Sequence, residues 1–162
     1  MPAGLPRRWR GFTLIEILVV CAIMAIVATL AAVRLEQSDA SRLSGAAEEL
    51  TRRLEAARDE AVIRGRPIAF SSDGQGYQFW LAGDNTTWMA LPGGDGWTAG
   101  RFSRGVKLSS VRVNGAARPL GERVVFSPFA LVEPFALTLA AGASRVEVQA
   151  DALGRFETKH AQ

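Results

Sequence analysis

Glu16 is the only charged side chain between Gly11 and Val33, and it stands among Leu14, Ile15, Ile17, Leu18, Val19 and Val20. An ionised carboxylate in hydrocarbon costs roughly 2.5–3.5 kcal/mol even on lenient insertion scales, so this position demands a counter-charge. The chemistry open to it is pairing: a carboxylate and an ammonium, each costly to bury alone, become tolerable together. The rest of the reactive inventory is thin. His160 is the only imidazole, three residues from the end of a chain whose tail is expected to be poorly ordered. The serines have no histidine base or nucleophile-elbow setting, and no Cys/His cluster supplies zinc ligands. Asp73, Asp84 and Asp95 are oxygen ligands of the kind calcium takes, but without EF-hand spacing, and aspartate near glycine reads first as a turn residue. Trp80, Trp88 and Trp97 read either as a sugar- or protein-binding face or as residues divided between core and subunit interface. The expectation is a non-enzyme with no catalytic residue, no metal and no cofactor.

The elements that must position Glu16 follow from the hydropathy pattern. Phe12 to Val33 is 22 residues, about 33 Å as a helix, enough to cross a bilayer. Arg7, Arg8 and Arg10 precede it and should hold the N-terminus in the cytoplasm. Helical periodicity continues beyond the span: Leu43, Ala46, Leu50, Leu54, Ala57 and Ala61 form one apolar stripe. Glu48–Arg52, Glu49–Arg53 and Glu60–Arg64 are acid-before-base pairs on the solvated faces. Gly65 and Pro67 should end the helix, and Ser38 to Gly45 should weaken it locally.

From residue 66 the period changes to two. Ile68 and Phe70, then Tyr77, Phe79 and Leu81, flank the turn Asp73-Gly74-Gln75-Gly76. Further strands are expected over 86–91, 106–113, 124–127, 135–139, 145–149 and 156–158, with a glycine-rich loop from Pro92 to about Gly105 and an Asn114-Gly115 turn. The layout is α+β: a long N-terminal helix packed on antiparallel sheets.

Gly11-Phe12 followed by Glu16, the fifth residue after the glycine, resembles the class III signal of type IV pilins and type II secretion pseudopilins. The resemblance implies a type IV pilin-like fold, cleavage after Gly11 by a prepilin peptidase, N-methylation of Phe12, and pairing of Glu16 with the N-terminal amine of a neighbouring subunit. It divides the chain into a cleaved leader (1–11), a transmembrane helix (12–33), its amphipathic continuation (34–66) and a β-rich periplasmic domain (67–162). Two further segments carry a finer resemblance. One is Leu54 to Gly65; the other runs through Val125-Phe126-Ser127-Pro128, Pro134-Phe135-Ala136-Leu137-Thr138-Leu139 and Ala152-Leu153-Gly154-Arg155. Together they are similar to the domain shared by minor pseudopilin H of type II secretion and the FimT-type minor pilins. Phe129-Ala130-Leu131-Val132 departs from it where relatives carry a glycine-containing turn.

The resemblance implies a subunit at the tip of a periplasmic pseudopilus that helps drive folded proteins through an outer-membrane secretin. Its implied partners are other minor and major pseudopilins, the prepilin peptidase, the inner-membrane assembly platform and a secreted substrate. The alternative within the class is a minor type IV pilin that primes pilus assembly or DNA uptake. From another class, the segment is an ordinary signal anchor or a signal peptide cut near Ala28, Ala31 or Ala32, on a periplasmic binding domain.

Charge and cysteine content agree with an extracytoplasmic domain. Losing Arg7, Arg8 and Arg10 with the leader takes the formal charge from +3 to zero. No basic patch interleaved with aromatics remains, so nucleic acid is not an expected partner. Cys21 is the sole cysteine, which excludes an internal disulfide.

Overall fold

In the computed structural model, the residues described are 14–84, 87–91, 99–129 and 132–161, with side chains omitted at 31–38 and 161. The chain divides into two compact units, 1–35 and 36–162. The expected leader and both residues of the Gly11–Phe12 junction lie outside the described residues.

One helix, α1 (Leu14–Arg64), runs through both units, and the serine-rich stretch before Gly45 does not interrupt it. Within the first unit, side chains are described from Leu14 to Leu30, and all are exposed. Those 17 residues are about 26 Å of helix, short of a hydrocarbon core of about 30 Å. Among the described residues no helix is long and apolar enough to cross a membrane. The expected span, Phe12–Val33, reaches past that stretch at both ends.

In the second unit α1 buries Leu43, Ala47, Leu50, Leu54, Ala57 and Ala61. Spacings of four and three alternate without a break along this set, the pattern of a single helix face. The expected stripe is corrected at one place: Ala47 is buried, while Ala46, at its flank, is only half-buried. The ion pairs also differ at one place, because Arg52 reaches Glu49 at 2.6 Å instead of Glu48. Arg53 shares Glu49 at 2.6 Å, and Arg64 pairs with Glu60. The two arginine hydrogen bonds, Arg52 first, hold the Glu49 carboxyl below the usual carboxylate range.

The helix stops in a Schellman turn. The Arg66 N–H donates to Ala61 O and the Gly65 N–H to Val62 O, both at 3.2 Å. Gly65 sits at φ +62°, where a side chain would be strained.

Ten strands follow among the described residues: β1 (Ile68–Ser72), β2 (Gly76–Ala82), β3 (Trp88–Ala90), β4 (Gly100–Arg101), β5 (Lys107–Val113), β6 (Ala116–Arg118), β7 (Val124–Phe126), β8 (Phe135–Ala141), β9 (Ser144–Ala150) and β10 (Phe156–Ala161). They build two five-stranded sheets. The first has the order β3-β2-β1-β7, with β4 also on β2; the second has the order β10-β9-β8-β5-β6. All pairings are antiparallel.

Turn chemistry sets the registers. Asp73 Oδ1 accepts from the N–H groups of Gln75 and Gly76 at 2.9 and 2.7 Å, closing the β1–β2 hairpin. Asn114 (φ +51°) and Gly115 (φ +76°) make the two-residue turn between β5 and β6. The register of β5 against β8 shifts between Leu108 and Ser110. The extra residue, Ser109, explains why buried Leu108 is followed by buried Val111 and Val113 and not by Ser110.

One core joins the helix stripe to the inner faces of both sheets, including Phe70, Phe79, Phe126, Leu137, Leu139, Val146 and Val148. Fully burying each large apolar side chain is worth about 1.5–3 kcal/mol. The fold is α+β and pilin-like: a long N-terminal helix with antiparallel sheets on its second half.

Candidate functional site

Two regions carry exposed apolar or aromatic surface suited to contact with other molecules. The first is the start of α1. Glu16 occupies the first described turn, flanked by Leu14 (84 % exposed) and Ile15 (69 %). One and two turns on, its face continues through Val19, Val20, Ile23 and Met24, all exposed. Contiguous apolar surface of this extent is stable only when lipid or protein covers it. Here the structure holds the expected assembly residue, Glu16, while Gly11 and Phe12 lie outside the described residues.

The second region is the outer face of the first sheet, turned away from the core. Along β2 the pleat sends Tyr77, Phe79 and Leu81 inward and Gly76, Gln78 and Trp80 outward. Trp80 is paired across the sheet with Ala69 and Ala90, and Ala69 in turn with Val125. The Trp80 indole N–H donates to Ser71 Oγ at 2.8 Å, which fixes the ring over β1. Arg123 lies with its guanidinium carbon 4.5 Å from the Trp80 ring centre and 5.7 Å from that of Trp88. Neither indole enters the core, so the expected division of tryptophans between core and interface is corrected: both are half-buried on one outer face. Trp97 is outside the described residues. A trough of about 660 Å³, lined in part by Ser71, Gln78, Trp80 and Arg101, continues this face.

The other candidate residues have local roles. Asp73 is held in its turn, where the N–H groups of Gly76 and then Gln75 keep its carboxyl below the usual range. Asp84 lies 3.8 Å from Arg66, and Asp95 is outside the described residues. Among the described residues no group of His, Cys, Asp and Glu is arranged to hold a metal. His160 is not in a loose tail: it sits in β10, opposite Val146. Cys21 is a free, exposed thiol. Sequence reasoning missed Arg123, which lies outside every strand, although the alternation of β2 already separates Trp80 from the inward aromatics.

A helix with an apolar first half, a packed second half and antiparallel sheets defines the class of pilin-like subunits. Solved structures share the fold. A structure of the minor pseudopilin EpsH from the type 2 secretion system of Vibrio cholerae is 15 % identical, with TM-score 0.60 over 74 % of this chain and 97 % of that one. A crystal structure of the same protein gives 14 % identity and TM-score 0.62, over 74 % and 96 %. The solution structure of E. coli GspH gives 15 % and 0.58, over 75 % and 89 %. No curated protein matched the chain in sequence. The profile of the family described as type II transport protein GspH matches residues 46–154, and that of the prokaryotic N-terminal methylation motif matches residues 7–32. The chain belongs to the GspH family of minor pseudopilins of type II secretion. Members are structural subunits and not enzymes, and membership with the methylation motif makes this chain a membrane-anchored pseudopilus subunit that assembles with other pseudopilins.

Proposed function

We propose that this subunit acts at the tip of the type II secretion pseudopilus and helps drive folded proteins through the outer-membrane secretin. Its segment 12–33 spans the inner membrane once, with the N-terminus cytoplasmic and residues 67–162 periplasmic. The prepilin peptidase cuts after Gly11 and methylates Phe12. Glu16 then takes the N-terminal ammonium of a neighbouring subunit, so that each buried charge neutralises the other and sets the axial register. The assembly platform of the inner membrane and the secreted substrate are its further partners. The observation that carries this reading is the single carboxylate of Glu16 in an apolar helix, inside the matched methylation motif.

Two measurements test it. Co-expression with a prepilin peptidase, followed by mass spectrometry of the mature N-terminus, should give N-methylated Phe12. An intact leader, or a cut near Ala31, would overturn the processing and with it the pairing. Glu16→Ala should leave membrane insertion intact and reduce incorporation into the pseudopilus by tenfold or more, about the effect of losing a buried ion pair. Normal assembly and secretion by this variant would remove the charge-pair role.

A further inference from the structure

Most arginines among the described residues are answered within the chain, as Arg58 is by Asp59, Arg112 by Glu147 and Arg155 by Asp151. Arg123 is different. Among the described residues it has no carboxylate within salt-bridge distance, and its contacts are the rings of Trp80 and Trp88. Its sequence neighbour Glu122 is engaged by Arg118 at 3.1 Å. Stacking on an indole uses the face of the guanidinium and leaves the N–H groups at its rim for a planar acceptor. The side chain is exposed yet held, so less rotamer freedom is lost when a carboxylate arrives.

The surroundings extend the same character. Arg123 immediately precedes β7, and Phe70 pairs with Val124, so the pleat sets Arg123 on the outer face beside Ser71. Arg101 pairs with outward-facing Gly76 on β2 and lines the trough, again without a salt bridge among the described residues. The acid in the trough, Asp73, feels the charge of Arg101, while its Oδ1 is held by its own turn. Small residues (Ser71, Gly76 and Gly100) keep the floor low, while Trp80 forms a wall. The face is a shallow, partly aromatic channel with two arginines and room for an extended chain.

We propose that the outer face of the first sheet, centred on Arg123 between Trp80 and Trp88, docks an extended acidic segment of a neighbouring pseudopilin. A carboxylate of that segment meets the Arg123 rim, and the chain beyond it lies along the trough toward Arg101. This rests on the reading of the protein as a pseudopilus subunit.

The test uses the full-length chain in detergent, titrated with each of the other pseudopilins of its own secretion system. Arg123→Gln should weaken binding to one of them roughly tenfold to a hundredfold, the scale of a lost charge-assisted hydrogen bond. Binding of the native chain should weaken with added salt. Arg123→Glu should abolish binding, and a Lys in place of the facing acid on the partner should restore it. Val125→Glu, which adds a negative charge to the same face without touching the arginine, should also weaken binding while leaving the unfolding midpoint unchanged. If Arg123→Glu and Val125→Glu bind every pseudopilin as the native chain does, the docking face is wrong and the subunit reading stands. If only self-association of this chain responds, the proposed occupant is wrong. If the native chain binds no pseudopilin, the docking proposal falls, while the subunit reading is decided separately by the mature N-terminus.

Discussion

What a carboxylate does in this chain follows from what its oxygens meet within one turn of backbone. Asp151 Oδ1 accepts from the N–H groups of Leu153 and Arg155, both at 2.9 Å, and Oδ2 accepts from Arg155 Nε at 2.7 Å. Hydrogen bonds from Arg155, backbone first, hold its carboxyl below the ordinary range, and Asp73 is lowered in the same way by Gly76 and Gln75. A lowered carboxylate contributes stability above its unfolded pKa of about 4 and loses it as pH falls through the folded value. Denaturant midpoints measured as a pH series should therefore be flat from pH 7 to about 5 and decline below about 4. The decline should be shallower for Asp151→Asn, and an unchanged slope would show that the turn acts without the charge. Asp73 was legible as a turn residue because it stands before Gly74. The reason for Asp151 was not, since its donors sit on a loop whose Gly154 carbonyl is in turn fixed by Arg58 at 2.6 Å, a contact across 96 positions.

At the scale of elements, the helix face and most strands could be read from period alone, because each element buries one side. The shift from Ala46 to Ala47 shows the limit: both are small, and only the position of the core separates them. β4 was hidden within the glycine-rich loop because two residues give no period. Its reason is a close approach, for a Cβ on Gly100 would lie 2.4 Å from the Tyr77 hydroxyl oxygen. Gly100→Ala should thus cost about 1–3 kcal/mol in equilibrium unfolding, as overpacking does. Gly45 is the contrast. It lies in the helix with nothing within 4 Å of an added Cβ, so Gly45→Ala should stabilise by about 0.5–1 kcal/mol. Leu54→Ala, at a fully buried position of the stripe, should destabilise by about 2–5 kcal/mol. The same unfolding series checks all three, and a neutral Leu54→Ala would mean that the helix does not share the sheet core. The Trp80–Arg123–Trp88 group stayed hidden because it joins β2, β3 and the approach to β7, which no local pattern links.

At the scale of the whole molecule, the stability of the sheet core and the proposed assembly role of Glu16 belong to different stretches of chain. Among the described residues, every buried residue of the core falls between Leu43 and Ala150. The apolar side chains from Leu14 to Leu30 are exposed, a surface suited to lipid or to other subunits. A chain beginning at Glu36 should fold alone and unfold at the same denaturant midpoint as the full chain in detergent, within about 1 kcal/mol, since it keeps every described core residue from Leu43 to Ala150. It should be absent from the pseudopilus, because it lacks both Glu16 and the segment that inserts. Glu16→Ala in the full chain separates those two losses: it keeps the insertion and removes only the charge. Equal midpoints for the native chain, this variant and the fragment, with assembly by the native chain alone, would place stability in residues 36–162 and make the Glu16 charge indispensable for assembly, whatever the first sheet adds by docking. A fragment less stable by several kcal/mol would instead show that residues before Glu36 support the fold, and the two functions would no longer be separable.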